Sequence, residues 1–163
     1  MNIVRAPLLI ASLAAMTMGG CATVDPMAEK PEARMFDSRT MDHLQFLEGR
    51  WIGAGPDGKP FYEAYRRVDA NTLVSERYED DRFAKLVDGS TVALDNGEIT
   101  SRWGEYTWRA DQVRAGFASF APVNAPSAFT WRRIDADTVE VMQRWNDENG
   151  VEQSYALQLK RTK

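Results

Sequence analysis

From about residue 50 onward, the chain consists of short stretches of alternating polar and apolar residues separated by tight-turn sequences. Two of these turns are Asn96-Gly97 and Asn149-Gly150. An Asn-Gly pair favours the type I′ turn of a two-residue β-hairpin, because both central residues need positive φ. Alternation with a period of two is typical of strands that bury one face. We therefore predict an all-β fold, an antiparallel up-and-down barrel, since closing the sheet removes its exposed edges.

One short helix precedes the strands. Met41, Leu44 and Leu47 recur at intervals of three, Asp37, Ser38 or Thr40 can cap the start, and Gly49 can end it. The predicted strands are 50–54, 61–68, 72–79, 83–87, 91–94, 98–103, 106–109, 112–117, 128–134, 138–145 and 151–160. Asp88-Gly89 is interpreted as the turn between the fourth and fifth of these.

The first 21 residues have the pattern of a secretory signal. A start containing Arg5 is followed by an apolar stretch at 6–18, too short to span a bilayer, and then by Gly19-Gly20-Cys21. This ending resembles the lipobox of bacterial lipoproteins. The resemblance implies that Cys21 carries diacylglycerol, that the chain is cut before it, and that the new amine is acylated. Cys21 is the only cysteine, so lipidation would leave no free thiol in an oxidising compartment.

We expect three regions: a signal peptide at 1–20, a lipidated flexible tether at 21–37 that contains two prolines, and a barrel domain at 38–163. In Gram-negative lipoproteins, Asp after the cysteine is associated with retention in the inner membrane. Ala22 at this position therefore implies the periplasmic face of the outer membrane. The net charge of −4 argues against a nucleic-acid partner. We expect a monomer whose contact with the membrane is through its lipid anchor alone.

The sequence Phe46-Leu47-Glu48-Gly49-Arg50-Trp51 places a short helix directly before Gly-x-Trp at the first strand. This is similar to the start of the calycins, the lipocalin and fatty-acid-binding barrels. Residues 40–162 also resemble a family of bacterial lipocalin-like domains of unknown function, whose late Phe-Pro-aromatic-Arg stretch matches 120–132 loosely. The resemblance implies a lipocalin-like barrel in which a basic residue, Arg161 or Lys160, covers the Trp51 ring.

Few residues offer catalytic or metal chemistry. His43 is the only histidine, and we expect it to face solvent on the short helix. A haem or zinc site built from imidazoles, or a Ser-His-Asp triad, therefore has little support, and we expect no cofactor and no metal. Glu79-Asp80-Asp81 lacks the spacing of an EF-hand and is interpreted as a solvated turn.

Aromatic residues and arginines are interleaved on the predicted strands. Glu63, Tyr65 and Arg67 share one face of 61–68, so neither face of that strand is purely apolar. If such faces point inward, they would line a ligand pocket, and an arginine there would favour a carboxylate or phosphate. The alternative is that the arginines stack over aromatic rings on the outer face. The predicted ligand-binding residues are Tyr65, Arg77, Tyr78, Trp103 and Arg144, and no catalytic residue is predicted.

Three functions are compatible with these features. The first is an envelope lipoprotein that binds a small, apolar or amphiphilic ligand, acidic if arginines face it. The second is a barrel-type isomerase or hydrolase that uses carboxylates such as Glu63, Glu76 and Glu98. The third is a non-catalytic scaffold with a solid barrel and an outer interaction patch. A cavity in the barrel would distinguish the first two from the third.

Overall fold

The computed structural model describes residues 35–55 and 57–162, and in it ten antiparallel strands are hydrogen-bonded in chain order, with the last strand closing onto the first. The strands are β1 (Gly49–Ala54), β2 (Pro60–Asp69), β3 (Thr72–Tyr78), β4 (Leu86–Asp95), β5 (Glu98–Trp103), β6 (Tyr106–Arg114), β7 (Phe117–Pro122), β8 (Ala128–Arg133), β9 (Thr138–Asn146) and β10 (Glu152–Arg161). The predicted all-β up-and-down barrel is confirmed. The predicted signal peptide, Cys21 and most of the predicted tether lie outside the described residues.

The predicted short helix is present as α1 (Ser38–Asp42), followed by a 3₁₀ segment at His43–Leu47. Asp37 caps its start, because one carboxylate oxygen accepts a hydrogen bond from the backbone N–H of Thr40 at 2.8 Å. The three-residue spacing of Met41, Leu44 and Leu47 suits a 3₁₀ period, and all three side chains are buried. The helical segment therefore closes one end of the barrel.

One predicted turn is wrong. The segments 83–87 and 91–94 were expected to be separate strands joined at Asp88-Gly89, but both fall in or beside the continuous strand β4. A Cβ atom on Gly89 would lie 2.5 Å from the backbone oxygen of Ser75 on β3. Gly89 thus permits a close approach of two strands and does not form a turn.

A second boundary is also wrong. The predicted strand 112–117 crosses a real turn at Gly116, where φ is 73°. Residues 112–114 of the predicted strand belong to β6, which also contains the predicted strand 106–109. The pairing of β6 with β7 is irregular between Ala110 and Gln112. The following part begins β7, a strand that the sequence pattern did not predict.

Side chains fill the closed half of the barrel. The largest fully buried side chains of the whole barrel and its helical segment are Met41, Leu44, Leu47, Trp51, Leu73, Val92, Ile99, Phe120, Val139 and Leu159. The Trp51 indole donates to the carbonyl of Leu47 at 2.6 Å, and the guanidinium of Arg161 lies 4.2 Å from the centre of the Trp51 ring. The predicted cover over Trp51 is confirmed, and Arg161 provides it. Gly49 has a φ of 122°, and a Cβ atom there would collide with Arg161.

The first and last described residues also lie at the closed end. The N–H of Phe36 donates to the carbonyl of Gly97 at 2.8 Å, and the N–H of Thr162 donates to the carbonyl of Arg50 at 2.9 Å. At the opposite, open end are the connecting residues 55, 57–59, 79–85, 104–105, 123–127 and 147–151. No helix within 35–55 or 57–162 is long and apolar enough to cross a membrane.

Candidate functional site

The open half of the barrel contains a cavity of about 160 Å³. Because side chains alternate across each strand, the strands that border the cavity contribute mainly every second residue to its wall. The wall has a charged part on β2, β3 and β4, with Glu63, Arg77 and Asp88. Its aromatic part, on β5, β6 and β8, contains Trp103, Trp108, Phe129 and Trp131, and its third part, on β9 and β10, contains Val141, Gln143 and Leu157.

The charged wall is a row of cross-strand partners. Glu63 is opposite Arg77 in the register of β2 and β3, and Arg77 is opposite Asp88 in the register of β3 and β4. Directly opposite residues point to the same face of a sheet, so all three side chains point into the barrel. One guanidinium nitrogen of Arg77 lies 3.7 Å from a carboxylate oxygen of Asp88. Arg77 therefore lies between two carboxylates.

The carboxylate of Glu63 is held by two hydroxyl groups. Tyr65 Oη donates to one oxygen at 3.0 Å, and Ser75 Oγ donates to the other. Glu63 keeps some solvent contact through the cavity, while protein surrounds it on its other sides. This burial raises the pKa of Glu63; the hydroxyls of Ser75 and Tyr65 and the charge of Arg77 oppose the rise, and Asp88 adds to it.

Tyr65 acts as a hydrogen-bond donor to this carboxylate. Burial, reinforced by the negative charge of Glu63, raises the pKa of Tyr65 well above its ordinary value. The phenol consequently stays protonated over the physiological pH range and continues to donate to Glu63. The Tyr65 ring also packs edge-on against Trp131, with 5.7 Å between the ring centres.

The aromatic wall is a continuous series of neighbouring rings. The ring centres of Trp131 and Phe129 are 5.0 Å apart, and those of Phe129 and Trp108 are 5.6 Å apart. Tyr106 continues the series from Trp108 to Trp103, at 6.2 Å and 6.1 Å. Trp108 is fixed further by a hydrogen bond from its indole to the carbonyl of Ser127 at 2.6 Å. Such a wall can pack against a planar ring or lie beside a cation.

Three of the predicted ligand-binding residues, Tyr65, Arg77 and Trp103, line this cavity. Tyr78 follows Arg77 directly on β3 and so lies on the outer face, where its hydroxyl donates to Glu76 at 2.9 Å. Arg144 follows the cavity residue Gln143 on β9 and, for the same reason, lies outside, beside a surface depression. Contact of any of the five predicted residues with a ligand stays a prediction.

The predicted carboxylates are separated by the barrel wall. Glu63 faces the cavity, whereas Glu76 pairs with Arg66 at 3.2 Å and Glu98 pairs with Arg109 at 3.4 Å on the outer face. The second carboxylate in the cavity is that of Asp88, which the sequence pattern had assigned to a turn. The alternation of side chains along β2 and β3 could have identified Glu63 and Ser75 as cavity residues. Asp88 could be identified only if β4 was predicted as one continuous strand.

The outer face also shows the alternative arrangement, in which an arginine covers an aromatic ring. The guanidinium carbon of Arg50 is 5.0 Å from the ring centre of Phe83, and that of Arg114 is 4.3 Å from the ring centre of Phe117. His43 is exposed. Among the described residues, no group of three or more His, Cys, Asp or Glu side chains is arranged to hold a metal ion.

No protein-family model and no curated protein matches the chain. Solved structures with some similarity include a protein of unknown function of the DUF3598 family from Nostoc punctiforme PCC 73102, with 14% identity, a TM-score of 0.47 and coverage of 83% of this chain. This chain spans about half the length of the Nostoc protein, 53%. Rv2717c from M. tuberculosis is 14% identical with a TM-score of 0.42 over 76% of this chain and 98% of its own. A redesigned β-barrel is 9% identical with a TM-score of 0.35 over 74% and 96%. Because each of these TM-scores is below 0.5, none of these similarities bears on what the chain binds.

Proposed function

We propose that this chain is a lipid-anchored protein of the bacterial envelope whose barrel binds a small, partly apolar ligand. The observation that supports binding is the cavity of about 160 Å³ in the open half of the barrel. In another protein, an apolar cavity of about 150 Å³ binds benzene. The expected ligand is therefore about the size of a single ring.

The composition of the wall supports the same proposal. Ligand pockets combine apolar and aromatic side chains with a few polar groups that fix orientation. Here Trp108, Phe129 and Trp131 supply the aromatic surface, while Glu63 and Arg77 supply polar groups on the charged wall. A barrel without a ligand-binding role has less need for charged side chains pointing into it, because burying a charge costs free energy.

Fluorescence titration tests the binding proposal. Three of the five tryptophans line the cavity, so toluene or phenol should change the fluorescence of the full-length protein saturably. Indole is itself fluorescent, and its binding is measured by calorimetry instead. Ser101 on β5 also lines the cavity, and Ser101→Leu should weaken binding about tenfold or more by occupying the space. Thr100→Leu, one residue earlier and on the outer face, should leave the affinity close to that of the parent. Equal affinity in all three proteins, or no saturable signal, would contradict the proposal.

Gly19-Gly20-Cys21 supports the anchoring part of the proposal, and Ala22 supports the outer membrane. Two or three acyl chains anchor a protein stably, whereas one gives only marginal binding. Replacing the lipidated residue by Cys21→Ser should release the protein from the membrane fraction or leave an uncut precursor, as judged by fractionation and immunoblotting. If Cys21→Ser stays with washed outer membranes at its mature size, lipidation is not what anchors the chain.

A further inference from the structure

The charged residues that line the cavity have unequal numbers of each sign. Glu63 and Asp88 contribute two carboxylates, and Arg77 contributes one guanidinium. With all three groups ionised, the wall carries one excess negative charge. A free carboxylate entering this site would meet two like charges within one row of cross-strand partners.

The single positive charge is already engaged. Arg77 lies 3.7 Å from Asp88, its side chain is 44% exposed, and its guanidinium carbon is 5.9 Å from the ring centre of Phe61. The partners of Glu63 are instead neutral: its two oxygens accept from the hydroxyls of Tyr65 and Ser75. In the part of the chain that the structure describes, no cation lies within ion-pair distance of Glu63. Of the two carboxylates in the cavity, Glu63 is therefore the one without an ion-pair partner among the described residues.

Glu63 also adjoins the aromatic wall. Tyr65, which donates to Glu63, packs against Trp131, and Trp131 packs against Phe129 at 5.0 Å between ring centres. A ligand in the cavity consequently meets a carboxylate on one side and the faces or edges of indole rings on the other. A protonated amine is attracted by both, since carboxylates form charge-assisted hydrogen bonds and aromatic faces attract cations.

We infer that the cavity selects a small protonated amine that carries one ring, with the ammonium group on Glu63 and the ring against Trp108, Phe129 and Trp131. This inference rests on the proposed binding function and specifies the charge of the ligand. It departs from the acidic ligand that Arg77 suggested in the sequence, because the fold places a carboxylate on each side of that arginine.

The ionisation of Glu63 adds a dependence on pH. Tyr65 on the same strand, Arg77 on β3 and Asp88 on β4 are the titratable groups that face it, and burial raises its pKa from the ordinary value of 4.5. An ammonium ligand binds the ionised carboxylate. Its affinity should therefore rise as the pH rises through the raised pKa of Glu63, for as long as the amine stays protonated.

Three probes of nearly the same size test the charge preference: benzylamine, benzyl alcohol and benzoate. We expect calorimetry on the full-length protein near pH 7 to give benzylamine an affinity at least tenfold above that of either other probe, which corresponds to about 1.4 kcal/mol. As the pH rises from the ordinary glutamate pKa of 4.5 through the raised one of Glu63, benzylamine binding should strengthen while benzyl alcohol binding changes little.

A charge-removing variant locates the effect. Glu63→Gln keeps the size of the side chain, and it should bring benzylamine to within about threefold of benzyl alcohol. Glu98→Gln removes a carboxylate from the outer face of β5 and should keep the tenfold preference. If Glu63→Gln does not fold, the comparison of probes and the pH series on the parent protein still decide the question.

The two proposals fail in different ways. If benzyl alcohol or benzoate binds as tightly as benzylamine, or if Glu63→Gln folds and keeps the preference, the inference about charge is overturned while binding in the barrel stands. If none of the three probes binds the parent protein, the proposed binding of a single-ring ligand fails, and the inference fails with it.

Discussion

Trp51 stabilises the closed end of the barrel through three separate interactions. Its ring is 1% exposed in the core, its indole N–H donates to Leu47, and Arg161 covers its face while donating to the carbonyls of Phe46 and Glu48. These contacts connect the helical segment, the first strand and the last strand. The residue is thus the point at which the two ends of the sheet are joined to the segment that covers them.

Trp51→Ala should lower the free energy of unfolding by about 3–5 kcal/mol, because it leaves a large cavity in a packed core. Urea denaturation followed by far-UV circular dichroism measures the change. Trp145→Ala, at the open end where the side chain is 37% exposed, is the matched control and should cost clearly less. If both variants unfold at the urea concentration of the parent, the assigned role of Trp51 is wrong.

The residues at the closed end could be predicted from the sequence. Gly-x-Trp is a local pattern, and the basic residues Lys160 and Arg161 lie directly at the end of the last predicted strand. The row of Glu63, Arg77 and Asp88 could not be predicted in the same way. It depends on the register of three strands, and that register shifts between Arg67 and Asp69 and again after Arg77. A shift of one residue moves a side chain to the opposite face.

At the scale of elements, β4 shows why turn signals can mislead. Asp88-Gly89 has the composition of a turn, yet it lies inside a ten-residue strand. Gly89 is needed because β3 passes so near that a Cβ atom would strike the backbone of Ser75. Local propensity and tertiary contact can both explain a glycine, and only the second applies here. The same strand presents Asp88 to the cavity, so the mistaken turn also concealed part of the site.

Gly89→Ala should force β3 and β4 apart, because the atom in conflict is backbone and cannot rotate away. We expect a loss of about 1–3 kcal/mol in the free energy of unfolding, as for overpacking in a core. Chemical denaturation measures the loss. Thr91→Ala, on the exposed outer face of the same strand, should change stability by less than about 1 kcal/mol. Parent-like stability of Gly89→Ala would mean that the strands are not held this closely.

On the scale of the whole molecule, the barrel is solid in one half and hollow in the other. The alternating pattern predicts which residues can share a face. It does not predict over what length of the barrel axis the inward-pointing side chains fill the interior. The large apolar residues around Trp51 fill the closed half, while serines at 75, 90 and 101 leave space in the open half. The depth of filling depends on all ten strands together and so lay beyond residue-by-residue reasoning.

Closure of the sheet also predicts the state of association. In the described part of the chain, β1 pairs with β2 and β10, so the barrel presents no free strand edge to another copy. Expressed as Cys21→Ser, which removes the proposed lipidation site, the protein should therefore sediment as a monomer at micromolar concentration. Analytical ultracentrifugation measures this, and a concentration-dependent dimer would show that another surface mediates association.

The placement of the first and last described residues has a practical consequence. Phe36 is hydrogen-bonded to Gly97, and Thr162 is hydrogen-bonded to Arg50. Both contacts are at the covered end of the barrel. A fluorescent reporter joined directly to Met35 or to Thr162, or a resin coupled there, would attach at this covered end and leave the entrance to the cavity unobstructed. Immobilised in this way, the protein would display its entrance to a flowing sample, which is the orientation that a surface-based sensor for small molecules requires.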